Sequence, residues 1–197
     1  MSGKENKKND ETTDYNIDRI SEKIGVLTRR ETEARILIPI IDALGDAFGR
    51  QAVVDIVRGT IEGIAKDQGK ALAEFMGGDT AQDFQAALEF WTTDNALEIE
   101  VKKADENELC FDVTRCKYAE MYKALGAADL GAIFSCNRDA ALIKGFNADA
   151  DMTRTRTIME GNETCDFKYR FPKIKQKASD TSVASGQDSA SGKGDSA

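Results

Sequence analysis

The chain has 197 residues, four cysteines, no histidine and a formal net charge of −8. No basic stripe interrupts that acidic balance, which argues against nucleic acid and anionic membrane surfaces as partners, and no apolar run approaches the roughly 18 residues of a membrane span. Without histidine there is no Cys-His dyad, no Ser-His-Asp triad and no histidine-ligated zinc, so a general base must be Asp, Glu, Lys, Tyr or a thiolate.

Residues 1–14 are charged and nearly devoid of large apolar groups, and residues 173–197 collapse to a Ser/Gly/Ala-rich composition. Both read as solvated tails that cannot offset their ordering entropy. What remains, 15–172, is enough for one α+β domain with a real core. The opening MSGKENKKNDETTD has no apolar segment of a secretory signal, so a cytoplasmic location and free thiols are expected rather than a disulfide framework.

In chain order, Ile17, Ile20, Ile24 and Leu27 recur at helical spacing. A helix over about 30–48 follows, with Leu37, Ile41, Leu44 and Phe48 as its core face, widened by Ile36 and Ile40. Pro39 predicts a kink or break within it. A helix over about 52–76 carries Val53, Val57, Ile61, Ile64, Leu72 and Phe75, with Gly59, Gly63 and Gly69 as places for close approach. Asp79 and Thr80 look like caps for a helix bearing Phe84, Ala87, Leu88 and Trp91.

At Asn95 the period changes from 3.6 to 2. ALEIEVKKA and ELCFDVTRC alternate around the turn residues 105–107 and predict an antiparallel hairpin. Two helices come next, one from near Lys117 to Gly126 and one from about Asp129 to Lys144. MTRTRTIM and CDFKYRF, joined by EGNET, predict a second hairpin. Helices, hairpin, helices, hairpin is the order of an α+β fold, with two hairpins in one antiparallel sheet covered by helices.

Three of the four cysteines lie in the segment from Val113 to Arg170. Cys116 ends a strand and opens a helix, where free N–H groups stabilise a thiolate, and Arg115 and Lys117 flank it. Cys136 and Asp139 are three apart on one helix, with Asn137 and Arg138 beside the thiol. Cys165 opens the last strand after a turn carrying Glu160, Asn162 and Glu163. Cys110 alternates with Leu109 and Phe111 and reads as structural. Arg154 and Arg156 share a strand face, either to hold a carboxylate by forked hydrogen bonds or simply as a solvated edge.

From about Leu97 to Phe171 the chain resembles the L-2-amino-thiazoline-4-carboxylic acid hydrolase family. The resemblance rests on VTRCKYAEMYKALG, LGAIFSCNRDAALIKGFN and TRTRTIMEGNETCDFKYR, with EARILIPIIDALGDAFG compatible upstream. The end motif, Glu160, Gly161 and Cys165-Asp166-Phe167, is also similar to the ending of vinyl-reductase-like domains.

The resemblance implies a hydrolase opening a cyclic amidine C–N bond. The namesake substrate is converted to N-carbamoyl-cysteine on a bacterial route to L-cysteine. Recurrent residues of the family fall on Cys116, Cys136, Asp139, Gly161, Cys165 and Phe167, while Thr164 stands where the family often has histidine.

Two mechanisms compete under this reading. In one, a cysteine thiolate attacks the amidine carbon and Asp139 or Glu160 shuttles protons, with no cofactor. In the other, Cys116, Cys136 and Cys165, with Asp139, hold zinc and a bound water attacks. The gaps of 20 and 29 residues between these cysteines match no zinc pattern, which favours the thiolate route. Arg115, Arg154 and Asn137 are the candidates for binding a small-molecule substrate that bears a carboxylate. Homo-oligomerisation is left open. The alternative is a non-catalytic small-molecule or metal-binding sensor, or a degenerate partner subunit.

Overall fold

The computed structural model describes residues 24–171. Both expected tails, and the start of the helix expected over 17–27, lie outside the described residues.

Helices α1 (Val26–Phe48) and α2 (Arg50–Met76) form a hairpin hinged at Gly49, whose φ of +91° suits glycine. Helix α1 runs unbroken through Pro39, where a kink or break was expected. Pro39 and Arg35, whose carbonyl loses its donor, are both exposed, so water can serve that carbonyl. The expected core face of α1 is only partly right. Arg30, Ala34 and Ile41 are buried, while Ile36, Ile40, Leu44 and Phe48 are exposed. Neighbouring elements reach α1 from one side, where Ala34 and Ile41 meet Val53, Ala119 and Tyr122. In α2, likewise, Val53, Ala65 and Gly69 are buried, and Ile64 and Phe75 are exposed.

Thr80 caps α3 (Ala81–Ala87) through a reciprocal box with Asp83. A short helix α4 (Glu89–Thr92) follows, so the single helix expected here is split in two. Strands β1 (Leu97–Ala104) and β2 (Glu108–Cys116) form the first expected hairpin. The Asp105 carboxylate closes its turn by accepting from the Asn107 and Glu108 N–H groups, at 2.9 and 2.8 Å.

The β2 register shifts near its end. Val113 pairs with Ile99 and Arg115 pairs with Glu98, leaving Thr114 as the extra residue of a bulge. One extra residue reverses the alternation. Arg115 therefore faces out, and Cys116, opposite Leu97, turns inward.

Helix α5 (Lys117–Ala124) starts directly from Cys116. The single helix expected over 129–144 is broken in three. These are α6 (Ala128–Gly131), a π-helical turn over Ala132–Cys136, and α7 (Arg138–Phe146). The Asn137 N–H reaching back to the Ala132 carbonyl at 2.9 Å marks the wide turn.

Strand β3 (Asp151–Thr153) is shorter than expected, and β4 (Cys165–Arg170) completes a four-stranded antiparallel sheet in the order β1-β2-β4-β3. Beyond Thr153 a side chain replaces the ladder. The Asp166 carboxylate accepts from the N–H groups of Thr155 and Arg156 at 2.9 and 2.8 Å. The chain then detours through a turn at Gly161, φ +98°.

Leu109, Phe111, Val113, Cys165 and Tyr169 line the inner sheet face against Phe84, Leu142, Ile143 and Phe146. The helical layer is fastened by one crossing. A Cβ on Gly69 would fall far inside van der Waals distance of the Leu142 carbonyl, and one on Gly145 would strike the Lys66 carbonyl. The expectation of close approach thus holds for Gly69, whereas Gly59 and Gly63 face open space. Gly145→Ala should therefore cost about 1–3 kcal/mol through overpacking. Gly63→Ala should stabilise by about 0.5–1 kcal/mol through helix propensity. Urea denaturation midpoints of the two variants check the contrast.

Candidate functional site

The elements converge where the end of β2, the π-helical turn and the start of β4 meet. Cys116, turned inward by the Thr114 bulge, touches all three apolar clusters of the protein. Its Sγ accepts the Ala119 N–H at 3.4 Å, so the thiol is the N-cap of α5. Cys165 is buried, and its Sγ accepts the Ile158 N–H at 3.2 Å. Cys136 sits at the end of the π-helical turn, half-buried. The three thiols lie within electrostatic reach of one another: Cys165 acts on Cys116, and both act on Cys136.

Arg154 ties this centre together. It leaves the end of β3 and donates to Asp139 Oδ2 at 2.6 Å and to the Cys136 carbonyl at 3.0 Å. Its guanidinium lies 4.8 Å from the centre of the Phe167 ring. The Arg154 side chain is 11% exposed and that of Asp139 is 31% exposed, so Arg154 is nearly covered and Asp139 is half-buried. Burial raises the Asp139 carboxyl above the ordinary aspartate range, against the pull of Arg154.

The thiols are held neutral. Burial pushes Cys116 up to about 11 and Cys136 up to about 12, and raises Cys165 in the same direction. The helix N-terminus does act on Cys116 through Ala119, but desolvation outweighs it. The flanking cations do not help, because Arg115 pairs with Glu120 at 2.8 Å and Lys117 donates to the Asp94 carbonyl at 2.7 Å. The expectation that these groups jointly stabilise a Cys116 thiolate is corrected on that ground. A raised folded pKa means the native state grips its proton more tightly than the unfolded chain. This contribution to stability is intact below about pH 9 and is lost as pH climbs through about 11 to 12.

Other expected site residues lie apart from this centre. Arg115 is exposed, between Glu120 and Glu98. Glu160 is exposed and accepts from Thr157 Oγ1 at 2.8 Å, while Thr157 Oγ1 accepts the Glu160 N–H at 3.1 Å, a reciprocal cap for the turn. Asn137 is half-buried at the junction of the π-helical turn and α7. Thr164 Oγ1 accepts from Arg156 Nε at 2.9 Å on the exposed edge. Arg156 thus parts company with Arg154, because the strand ends at Thr153 and both arginines lie beyond it.

Among the described residues, no three Cys, Asp or Glu side chains are disposed to hold one ion. A shallow depression of about 300 Å³ on the outer sheet face includes Cys110, Asp112, Asp166 and Lys168 but none of the three inward thiols. Its charges are already engaged, with Lys168 on Glu108 at 2.7 Å and Asp166 on Thr155.

Sequence reasoning passed over Arg30 and noted Arg138 only as a neighbour of Cys136. Both are buried, and both act electrostatically on Asp139. The signal was present: an arginine on the Ala34/Ile41 side of an amphipathic helix, and another directly before Asp139.

A mixed α+β domain with inward thiols and an ion-paired carboxylate at the sheet–helix junction is thus the class of protein to which this chain conforms. The family model for L-2-amino-thiazoline-4-carboxylic acid hydrolase matches residues 29–169, and the chain belongs to that hydrolase family. No curated protein matches it. Among the described residues, no helix is long and apolar enough to cross a membrane.

At pH 8 the thiolate fraction of Cys116 should be about a hundredfold lower in the native protein than in the urea-unfolded chain, from the shift between 9.0 and about 11 alone. Iodoacetamide labelling, read by peptide mass, should show Cys116 and Cys136 slowed by at least that factor. Equal rates in both states would contradict the raised native pKa.

Proposed function

We propose that the protein hydrolyses a small cyclic amidine bearing a carboxylate, with L-2-amino-thiazoline-4-carboxylate as the first substrate to test. The observation that supports this most is the Cys136–Asp139–Arg154 arrangement. It puts a half-buried thiol within electrostatic reach of an ion-paired, half-buried carboxylate whose proton affinity burial has raised. A cytoplasmic role on a bacterial route to L-cysteine belongs to the same proposal.

In this reading Cys136 is the nucleophile and Asp139 the proton carrier. A neutral thiol must surrender its proton as it attacks, and Asp139 receives it with Arg154 fixing the carboxylate. The sulfur of Cys136 bonds to the amidine carbon, and the electron pair of the C=N bond moves to the ring nitrogen, which takes up the proton. Collapse of that adduct expels the ring sulfur, which is protonated to the free thiol. Water then adds to the same carbon, Cys136 leaves as a thiol, and the carbamoyl group remains on nitrogen.

The named product keeps both nitrogens on the carbamoyl carbon. The bond that opens is therefore carbon–sulfur, with hydration of the C=N bond, and the expected C–N cleavage is replaced by this balance. The raised thiol pKa values are the one observation that favours a non-catalytic binding module instead.

The test is incubation of the purified protein with L-2-amino-thiazoline-4-carboxylate, with detection of N-carbamoyl-cysteine and new thiol. Turnover is expected, with Cys136→Ser and Asp139→Asn each lowering kcat by about a thousandfold or more at unchanged Tm. Absence of product from folded wild-type protein overturns the proposal in favour of the binding module.

A further inference from the structure

Helix α1 carries a second apolar face that the domain leaves uncovered. Ile36, Ile40, Leu44 and Phe48 follow one another at intervals of four residues, so they stand in one row along the helix. They are 58%, 48%, 40% and 74% exposed. Pro39, Ala43 and Ala47, also exposed, widen the row. Four of the nine exposed large hydrophobics among the described residues fall here. The row is therefore a patch, unlike the single apolar side chains scattered over any surface. Its helix is fixed from behind, where Ala34 and Ile41 pack on Val53, Ala119 and Tyr122.

Charge is confined to one edge of the row. Arg35, Asp42 and Asp46 recur at intervals of seven and four residues and so lie along one line. Arg35 pairs with Glu31 at 2.6 Å and Asp42 with Arg50 at 2.7 Å, whereas Asp46 makes no ion pair among the described residues.

This edge selects the occupant. A helix that lies on a membrane borders its apolar face with Lys and Arg. Here two aspartates stand along the border, which does not suit an anionic lipid surface. A second copy of the chain does suit it. The row is evenly spaced, with its midpoint between Ile40 and Leu44, so a reversed copy sets Ile36 against Phe48 and Ile40 against Leu44. Two-fold symmetry repeats each contact. The same reversal brings the Arg35 of each copy to the Asp46 of the other. A parallel arrangement would instead set Arg35 beside Arg35 and Asp46 beside Asp46, which like charges disfavour.

We propose that the protein forms a two-fold symmetric dimer in which two α1 helices pack antiparallel through this row, with an Arg35–Asp46 ion pair towards each end of the seam. Rows spaced by four residues interdigitate as ridges into grooves. Two copies of the row contribute about 800 Å² of apolar surface to an interface that needs about 1,200 Å² or more in total, the remainder coming from its polar rim. The thiol centre takes no part in the seam, so the dimer stands apart from the proposed reaction.

The experiment is sedimentation equilibrium of the full chain over about 1–100 μM, the affinity range open to an interface of this modest size. A monomer–dimer equilibrium is expected, with dimer predominant at the upper end. Ile40→Asp places an unpaired carboxylate in the seam from both sides and should weaken the dimer at least about a hundredfold. Phe48→Asp, at the helix end, repeats that test should Ile40→Asp unfold the chain, and circular dichroism shows which variants are folded. Arg35→Glu and Asp46→Arg should each weaken the dimer about threefold or more, the scale of two exposed ion pairs turned repulsive. The double variant R35E/D46R exchanges the charges and should return to within about twofold of wild type. Wild type that stays monomeric throughout overturns the proposal and leaves the row to a different protein. A dimer that the folded seam variants leave intact overturns it as well, as do single charge variants whose loss the double variant does not recover.

Discussion

The Arg154 guanidinium is the one interaction on which the arrangement depends. It spans the boundary between the sheet, through β3 and the Phe167 ring, and the helical layer, through Asp139 and the Cys136 carbonyl. An ion pair at such a boundary is costly to break from one side, because the surviving charge keeps its desolvation penalty without its partner. Arg154 thus fixes the distance between the sheet face carrying Cys165 and the π-helical turn carrying Cys136. The Gly69–Gly145 crossing supplies the other constraint, bringing α7 against α2 closely enough for Asp139 to reach the sheet.

Around that bridge, two electrostatic tendencies oppose each other at the thiols. The helix N-terminus of α5 favours a Cys116 thiolate, and burial among three apolar clusters disfavours it. Burial wins. For Cys136, burial and the Asp139 carboxylate push in the same direction, and Arg154 opposes them. The free protein therefore stores protonated thiols beside a carboxylate of raised proton affinity. On the proposed reading, such a centre is quiet until the ring nitrogen of a bound amidine can take up the proton that Asp139 carries.

Much of the fold was legible because it follows from period and punctuation. The switch to alternation at Leu97, the Asp105 turn, the Thr80 cap and the Gly126 and Gly161 turns are all local signals, and the four-stranded sheet follows from two hairpins. The failures share a cause, which is that pattern does not reveal which side of an element meets a neighbour. Ile36, Ile40, Leu44 and Phe48 continue the apolar stripe of α1, yet the domain covers only the side bearing Ala34 and Ile41. The second hairpin is cut short because the Asp166 side chain takes the amides that a strand partner would have used.

The site was partly legible for the same reason. Cys116, Cys136, Cys165 and Asp139 were chosen as reactive types, and the structure brings them within electrostatic reach. Arg115 and Cys116 exchange sides through the one-residue bulge at Thr114, which alternation alone hides. The burial of Arg30 and Arg138 was hard to read, because a charged residue on a helix usually marks its solvated face.

The central claim is that Cys136 forms and then releases a covalent bond to the amidine carbon. Rapid acid quenching of wild-type protein mixed with L-2-amino-thiazoline-4-carboxylate, followed by peptide mass analysis, tests it directly. The account predicts a transient adduct on the Cys136 peptide that decays as N-carbamoyl-cysteine appears. Product formation with no adduct at any time point, and undiminished in Cys136→Ser, would contradict it.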